Sequence, residues 1–303
     1  MLGDKLKNYL HLHVLVFIAG FTAILGKLIS INAIPLVWFR MLIAGILMLL
    51  FIKFSKIRLQ ITFKTFSKFA IAGIVVALHW ITFFGAIDVS NVSITLVMFS
   101  TGAFFASFIE PIIYKRKMIW YELVFGVIVI LGVSIIINAE FKYINGIVLG
   151  ISSAFFSALF AVLNGKFVEK HHAATISFYE FICGVLFISI YLTFAEEGFS
   201  KQNFFLLTRN DWIYLFILAS VCTAYAFIAS THIMRYISPY TVVLTYNLEI
   251  IYGIVLALLL FPLDEKMESG FYYGSLLVVG TVLANGILKN KRKRKSVKGM
   301  EIS

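Results

Sequence analysis

An all-α integral membrane protein is the fold class this chain predicts: ten transmembrane helices in two inverted five-helix repeats, with both termini cytoplasmic. Three observations carry that reading. The 303 residues are 61% hydrophobic and only 14% charged, outside the range of ordinary soluble domains. The apolar residues fall in runs of about 20, the length that crosses a hydrocarbon core of about 30 Å. The second half of the chain also repeats the first.

The apolar runs are 8–28, 33–53, 67–87, 92–114, 118–138, 145–166, 173–194, 211–232, 239–261 and 269–288. The first is too long for a cleavable signal peptide, and no small-residue cleavage site follows it. Spans four and five are nearly fused, separated by Lys115, Arg116 and Lys117. Short connections leave no room for a sizeable soluble domain. The repeats then occupy 1–138 and 145–288, and 289–303 is a basic cytoplasmic tail.

The repeat is visible residue by residue. Gly26, Lys27, Phe39 and Gly45 recur as Gly165, Lys166, Phe178 and Gly184, at a constant offset of 139. Ser90, Leu96, Gly126 and Gly132 recur as Ser238, Leu244, Gly274 and Gly280, at an offset of 148. The change of offset places one longer connection in the second half, at 195–209. Two homologous halves with five spans each insert with opposite orientation, as in many secondary transporters.

Charge gives the orientation. The net charge is +11, and its distribution is lopsided. With the N-terminus inside, only Lys27, Lys142, Lys201, Arg209 and Lys266 fall on the outer flanks, and Arg40 lies within a span. Every other Lys and Arg is on a cytoplasmic segment, which is the positive-inside pattern. The run from Lys291 to Lys295 is accordingly read as an anchor on anionic lipid, not a nucleic-acid patch. Cys183 and Cys222 lie within spans, with no disulfide framework or metal-type spacing. No cofactor motif is present.

Degenerate motifs recur in order in both halves. The first holds the Pro35 to Arg40 entry to span two, Ser90 before span four, Glu110 with Pro111, and Trp120 to Gly132. The second holds Ser238 with Pro239, then Tyr246, Asn247, Leu248 and Glu249, then Pro262 to Glu265, Gly274 and Gly280. Over essentially its whole length the chain resembles the EamA family of the drug/metabolite transporter superfamily. It departs from the family at Ile250, where proline is frequent, and at the purely basic turn 115–117, where an acid is usual. The resemblance implies that spans 1–4 and 6–9 line a central cavity and that spans 5 and 10 are peripheral. It also implies passage of small metabolites across the plasma membrane, often export of amino acids.

Polar residues inside spans are costly and mark candidate sites. Glu249 sits mid-span, and Thr245, Glu249 and Tyr252 share a face, with Tyr246 and Asn247 beside them. Such a carboxylate suits an ammonium group or proton exchange, or else a structural bond. Arg40 offers a planar fork for a substrate carboxylate, or pairs with Glu180 or Glu249. Glu180 lies across the midplane from Arg40 and suits a gate or an ion pair. His79 and Trp80 suit a proton relay, a substrate contact, or plain packing. Tyr225, Tyr246, Tyr179 and Phe99 are candidates for an aromatic cavity wall. Glu110 pairs most simply with the basic turn.

The leading expectation is a secondary carrier of small polar metabolites, working by alternating access, with protons as a candidate coupling ion at Glu249. A carrier of amphipathic drugs or lipid-linked substrates on the same fold is the alternative. An enzyme is disfavoured: Asp4, Asp88, Asp211 and Asp264 all lie in loops or tails, and no H-E-x-x-H, G-x-S-x-G or phosphate-binding loop occurs. Nothing resembles a channel filter ring. The expected partners are a small-molecule substrate and the lipid bilayer, with no nucleic acid and no metal. Both a monomer and a homodimer fit.

Overall fold

A computed structural model describes residues 2–115, 117, 120–195, 198–200, 204–233, 245–246 and 248–300, excepting the side chains of 2–5, 123, 231–232, 286 and 289–300. No strand occurs among the described residues. The helices are α1 (Leu2–Leu28), α2 (Ala33–Phe54), α3 (Phe63–Val89), α4 (Val92–Phe99), α5 (Gly102–Tyr114), α6 (Trp120–Ala139), α7 (Ile144–Phe167), α8 (Ala173–Phe194), α9 (Arg209–Ala219), α10 (Ala226–Ile233), α11 (Leu248–Leu260) and α12 (Ser269–Met300). Eight helical segments of the described chain are long and apolar enough to cross a membrane, the last of them Arg209–Ser230. The expected ninth span lies partly outside the described residues, and α11 is its described part. The expected tenth is the first stretch of α12.

Two expected spans are not single α-helices. The run 92–114 breaks between α4 and α5, where the Ser100 and Thr101 hydroxyls donate to the Val97 and Met98 carbonyls at 2.6 Å each. Short polar side chains that bond back to the preceding turn compete with the backbone ladder and bend helices. Between α9 and α10, Ser220–Tyr225 forms a π-helical turn, and π turns often mark functional positions.

Carboxylates organise one end of the bundle. Backbone amides at a helix start have no partner within the helix, and their dipoles favour an anion. Glu265 accepts from the Val92 and Ser93 amides at the head of α4, at 3.0 and 2.9 Å. Glu140 accepts from the Glu268 amide beside α12 at 2.7 Å. Asp88 accepts from the Ala33 amide of α2 at 3.1 Å. Asp211 closes a capping box with Thr208 on α9, and also accepts from the amide and hydroxyl of Ser30. The Glu265 and Asp211 contacts each tie one repeat to the other, and Glu140 ties the connection between the repeats to the second. We call this the carboxylate end. The opposite, basic end holds the connections 55–62 and 168–172.

The described part of the long connection at 204–208 also packs at the carboxylate end. Phe204 lies against Trp38 and Phe39, with ring centroids 5.8 and 5.9 Å apart. Trp38 donates from Nε1 to Ser189 Oγ at 2.9 Å, joining α2 to α8.

Without water to drive them together, membrane helices pack through small residues that let backbones approach. Gly20 and Gly253 meet where α1 crosses α11, and Gly132 and Gly274 meet where α6 crosses α12. A Cβ on Gly274 would lie 2.6 Å from the Gly132 carbonyl oxygen, whereas one on Gly280 would meet nothing within 4 Å. Gly274→Ala is therefore expected to cost about 1–3 kcal/mol through overpacking. Gly280→Ala is expected to be neutral or to stabilise by up to about 1 kcal/mol. Thermal unfolding in detergent compares the two, and equal melting temperatures would contradict the crossing geometry.

Candidate functional site

The candidate site is built around a charge that the bilayer does not tolerate bare. Arg40 of α2 is 3% exposed. Its Nε donates to Thr223 Oγ1 at 2.9 Å. Its guanidinium carbon lies 3.9 Å from the centre of the Trp80 ring and 5.5 Å from that of Phe84. Stacking on aromatic faces offsets part of the cost of desolvation. Nη1 is buried and has no hydrogen-bond partner among the described residues, so the hydroxyl bond to Nε leaves this part of the fork unengaged there.

Thr223 can hold Arg40 because of the π turn. Its hydroxyl donates to the Leu218 carbonyl, five residues back, at 2.8 Å. The oxygen lone pairs are thus left for the guanidinium. Cys222, next to it, is within electrostatic reach of Arg40.

Glu249, in the first turn of α11, is half-buried beside α1, where a Cβ on Gly20 would lie 3.0 Å from its carbonyl oxygen. Arg40 and Glu249 lie within electrostatic reach of one another. No ion pair joins them among the described residues. The two side chains are therefore near one another without a direct ion pair.

The other expected residues have varied places. Trp80 stacks on Arg40. His79 is within electrostatic reach of Arg40, but its ring is committed to α7. Its Nδ1 lies 2.9 Å from Ser153 Oγ and 3.1 Å from the Ser153 carbonyl oxygen. The Ser153 hydroxyl donates in turn to the His79 carbonyl, so Nδ1 is the donor of the return bond. Phe99 and Phe160 stack on either side, with centroids 5.4 and 5.9 Å away.

Tyr246 reaches Ser230 Oγ at 2.6 Å and is within electrostatic reach of Glu249. Thr245 is half-buried, and Asn247 lies outside the described residues. Tyr225 faces away, toward His11 of α1, with Oη 2.7 Å from Nε2. Tyr179 donates to the Leu59 carbonyl at 2.8 Å. The four expected aromatic residues therefore do not form one wall. Glu180 is at a separate crossing, bonded to Asn164.

Thr223, Phe84, Ser153 and Asn164 were not singled out from sequence. The run of small and hydroxyl residues from Ser220 to Thr223 was the available signal for the first. Glu122, buried at 3% exposure, was also passed over. With Ser107, Thr281 and Asn285 it lines a small cavity among α5, α6 and α12, apart from Arg40.

The sequence profile described as the EamA-like transporter family matches residues 7–138 and 144–286. The chain belongs to that family. This EamA-like transporter is thus a multi-pass membrane protein of the drug/metabolite transporter superfamily, built from two copies of one unit. No curated protein matches it in sequence. A solved structure described as "Crystal structure of protein" is 11% identical, with a TM-score of 0.62 over 91% of this chain and 97% of that one. At that identity the likeness speaks for the fold alone.

Within this transporter, Arg40 depends on Thr223. Thr223→Val removes the acceptor and leaves a buried donor unmet, at a cost of about 1–3 kcal/mol. Thr223→Ser keeps the oxygen and is expected to stay near wild type. Melting curves in detergent separate the pair, and a wild-type curve for Thr223→Val would show that Arg40 does not lean on this hydroxyl.

Proposed function

We propose that the chain is a secondary carrier of small zwitterionic metabolites, amino acids or close relatives, working by alternating access in the plasma membrane and in the direction of export. One observation supports this most: Arg40 and Glu249 lie within electrostatic reach without a direct ion pair, and Arg40 Nη1 is unpartnered among the described residues. A substrate carboxylate placed on the guanidinium fork gains charge-assisted hydrogen bonds. Its ammonium then meets Glu249, and the substrate completes the charge pairing that the empty site lacks. Trp80 fixes the plane of the fork, so the carboxylate is received at a set angle.

The basic end faces the cytoplasm in this reading, because Lys and Arg concentrate there. The energy comes from solute or ion gradients. Two inverted halves rocking about a site between them give access from each side in turn.

Counterflow of labelled amino acids into liposomes holding the full chain tests the reading. Arg40→Lys keeps the charge but loses the planar fork. It is expected to weaken apparent affinity by about 10- to 100-fold, as loss of a charge-assisted bond of about 1.5–3 kcal/mol implies. Glu249→Gln is expected to weaken amino acids while sparing carboxylates that lack an amine. Counterflow of amphipathic cations or lipid-linked compounds, with none of amino acids, would replace this substrate class by the alternative on the same fold.

A further inference from the structure

A second intramembrane carboxyl has surroundings unlike those of Glu249. Glu180 is fully buried, on α8 where that helix crosses α3. The crossing is close. A Cβ on Gly73 would lie 2.3 Å from the Glu180 carbonyl oxygen, and one on Gly184 would lie 3.1 Å from the Gly73 carbonyl oxygen. Backbone therefore meets backbone beside the carboxyl.

Asn164 of α7 donates from Nδ2 to Glu180 Oε2 at 3.2 Å. The other two oxygens of the pair, Glu180 Oε1 and Asn164 Oδ1, are both buried and have no hydrogen-bond partner among the described residues. An ionised Glu180 leaves both unmet, because a carboxylate and an amide oxygen only accept. One proton resolves both. A hydroxyl on Glu180 donates to Asn164 Oδ1 and closes the cyclic pair that a carboxylic acid makes with an amide.

Among the described residues no cation is paired with Glu180. On α2, Arg40 is bonded to Thr223 and Lys53 is exposed. On α3, His79 is bonded to Ser153, Asp88 to the Ala33 amide, and Lys64 and Lys68 are exposed. On α7, Lys166 donates to the Ile113 carbonyl. On α8 itself, Tyr179 donates to the Leu59 carbonyl, Tyr191 is exposed, and the Cys183 thiol is within electrostatic reach of Glu180. The helix α10 meets α8 through Phe227 on Phe181, and the His232 side chain lies outside the described set. A buried charge without a partner is the state a protein avoids by taking up a proton.

We infer that Glu180 is a proton-binding site, held as the neutral acid in a cyclic pair with Asn164, and that it exchanges its proton when the α3–α8 crossing opens. The step is a simple acid dissociation: the O–H bond breaks, the proton passes to water, and the electron pair stays on the carboxylate. By linkage, protonation favours the closed crossing and opening favours release. The consequence for transport rests on the carrier reading above, whereas the proton site does not.

Infrared difference spectroscopy of the full chain in liposomes tests the site without any substrate. At neutral pH the wild type is expected to show a protonated carboxylic-acid carbonyl component that shifts in D2O. That component is lost in Glu180→Gln and kept in Glu249→Gln. A Glu180→Gln spectrum that loses only carboxylate bands would overturn the site. Glutamine preserves both bonds to Asn164, so Glu180→Gln is expected to melt with the wild type, and Asn164→Leu to melt lower. A clear drop in melting temperature for Glu180→Gln argues for an ionised Glu180 and against the pair.

The transport arm uses labelled amino acids. Acceleration of counterflow by a pH gradient is expected to vanish in Glu180→Gln while exchange at equal pH persists. Acceleration that survives the substitution overturns the coupling. If the wild type carries no amino acid, the substrate proposal fails and the infrared result alone decides the proton site.

Discussion

Charge in hydrocarbon must be answered locally, and this constraint organises the molecule. An unpaired side-chain charge at mid-bilayer costs at least about 2.5–3.5 kcal/mol, and a buried amide without a partner also carries a penalty. The chain meets the two demands with the same residue types in different settings. At the carboxylate end, Asp88, Glu140, Asp211 and Glu265 are spent on backbone amides at or beside helix heads. Each contact settles an anion and an orphan donor together. Deeper in the bundle Arg40 rests on aromatic faces and one hydroxyl, and Glu180 rests on one amide.

The two deep charges stand at related places. Residue 40 maps to 179 at the first-half offset, one position from Glu180. Gly73 maps to Val221 at the second offset, within the π turn that carries Thr223. In the repeat, the α2 contact with that turn and the α8 contact with α3 are therefore the same crossing seen twice. They are built differently. At Gly73 the backbones touch directly, whereas at the π turn a side-chain bond spans the gap. Inverted repeats that hold unlike conformations are what alternating access needs, since each half can adopt the arrangement its counterpart holds.

The fold was legible because the bilayer simplifies the problem. Run length alone locates spans, and helices α2, α6, α7 and α8 begin and end close to their apolar runs. The breaks were not legible. Ser100 with Thr101, and Ser220 to Tyr225, are too apolar in context to interrupt a run, yet their hydroxyls bend or widen the helix. Arg40, Trp80, Glu249 and Glu180 stood out because charge and indole are conspicuous within a span. Their partners did not, because Thr223, Asn164 and Ser153 are ordinary residues that gain meaning only through a neighbour on a different helix. The glycine pairs were half legible: Gly132 meets Gly274, but Gly280 repeats Gly132 in sequence without repeating its contact.

That last difference has a structural reason. At the α6–α12 crossing Gly132 meets Gly274, whereas Gly126, which the repeat places opposite Gly280, packs against the Phe104 ring of α5 instead. Elsewhere in the bundle equivalent positions have also diverged in chemistry. Arg40 and Glu180 are the clearest outcome: near-equivalent positions of the repeated unit hold a cation set on an aromatic face and one hydroxyl, and an acid set beside one amide.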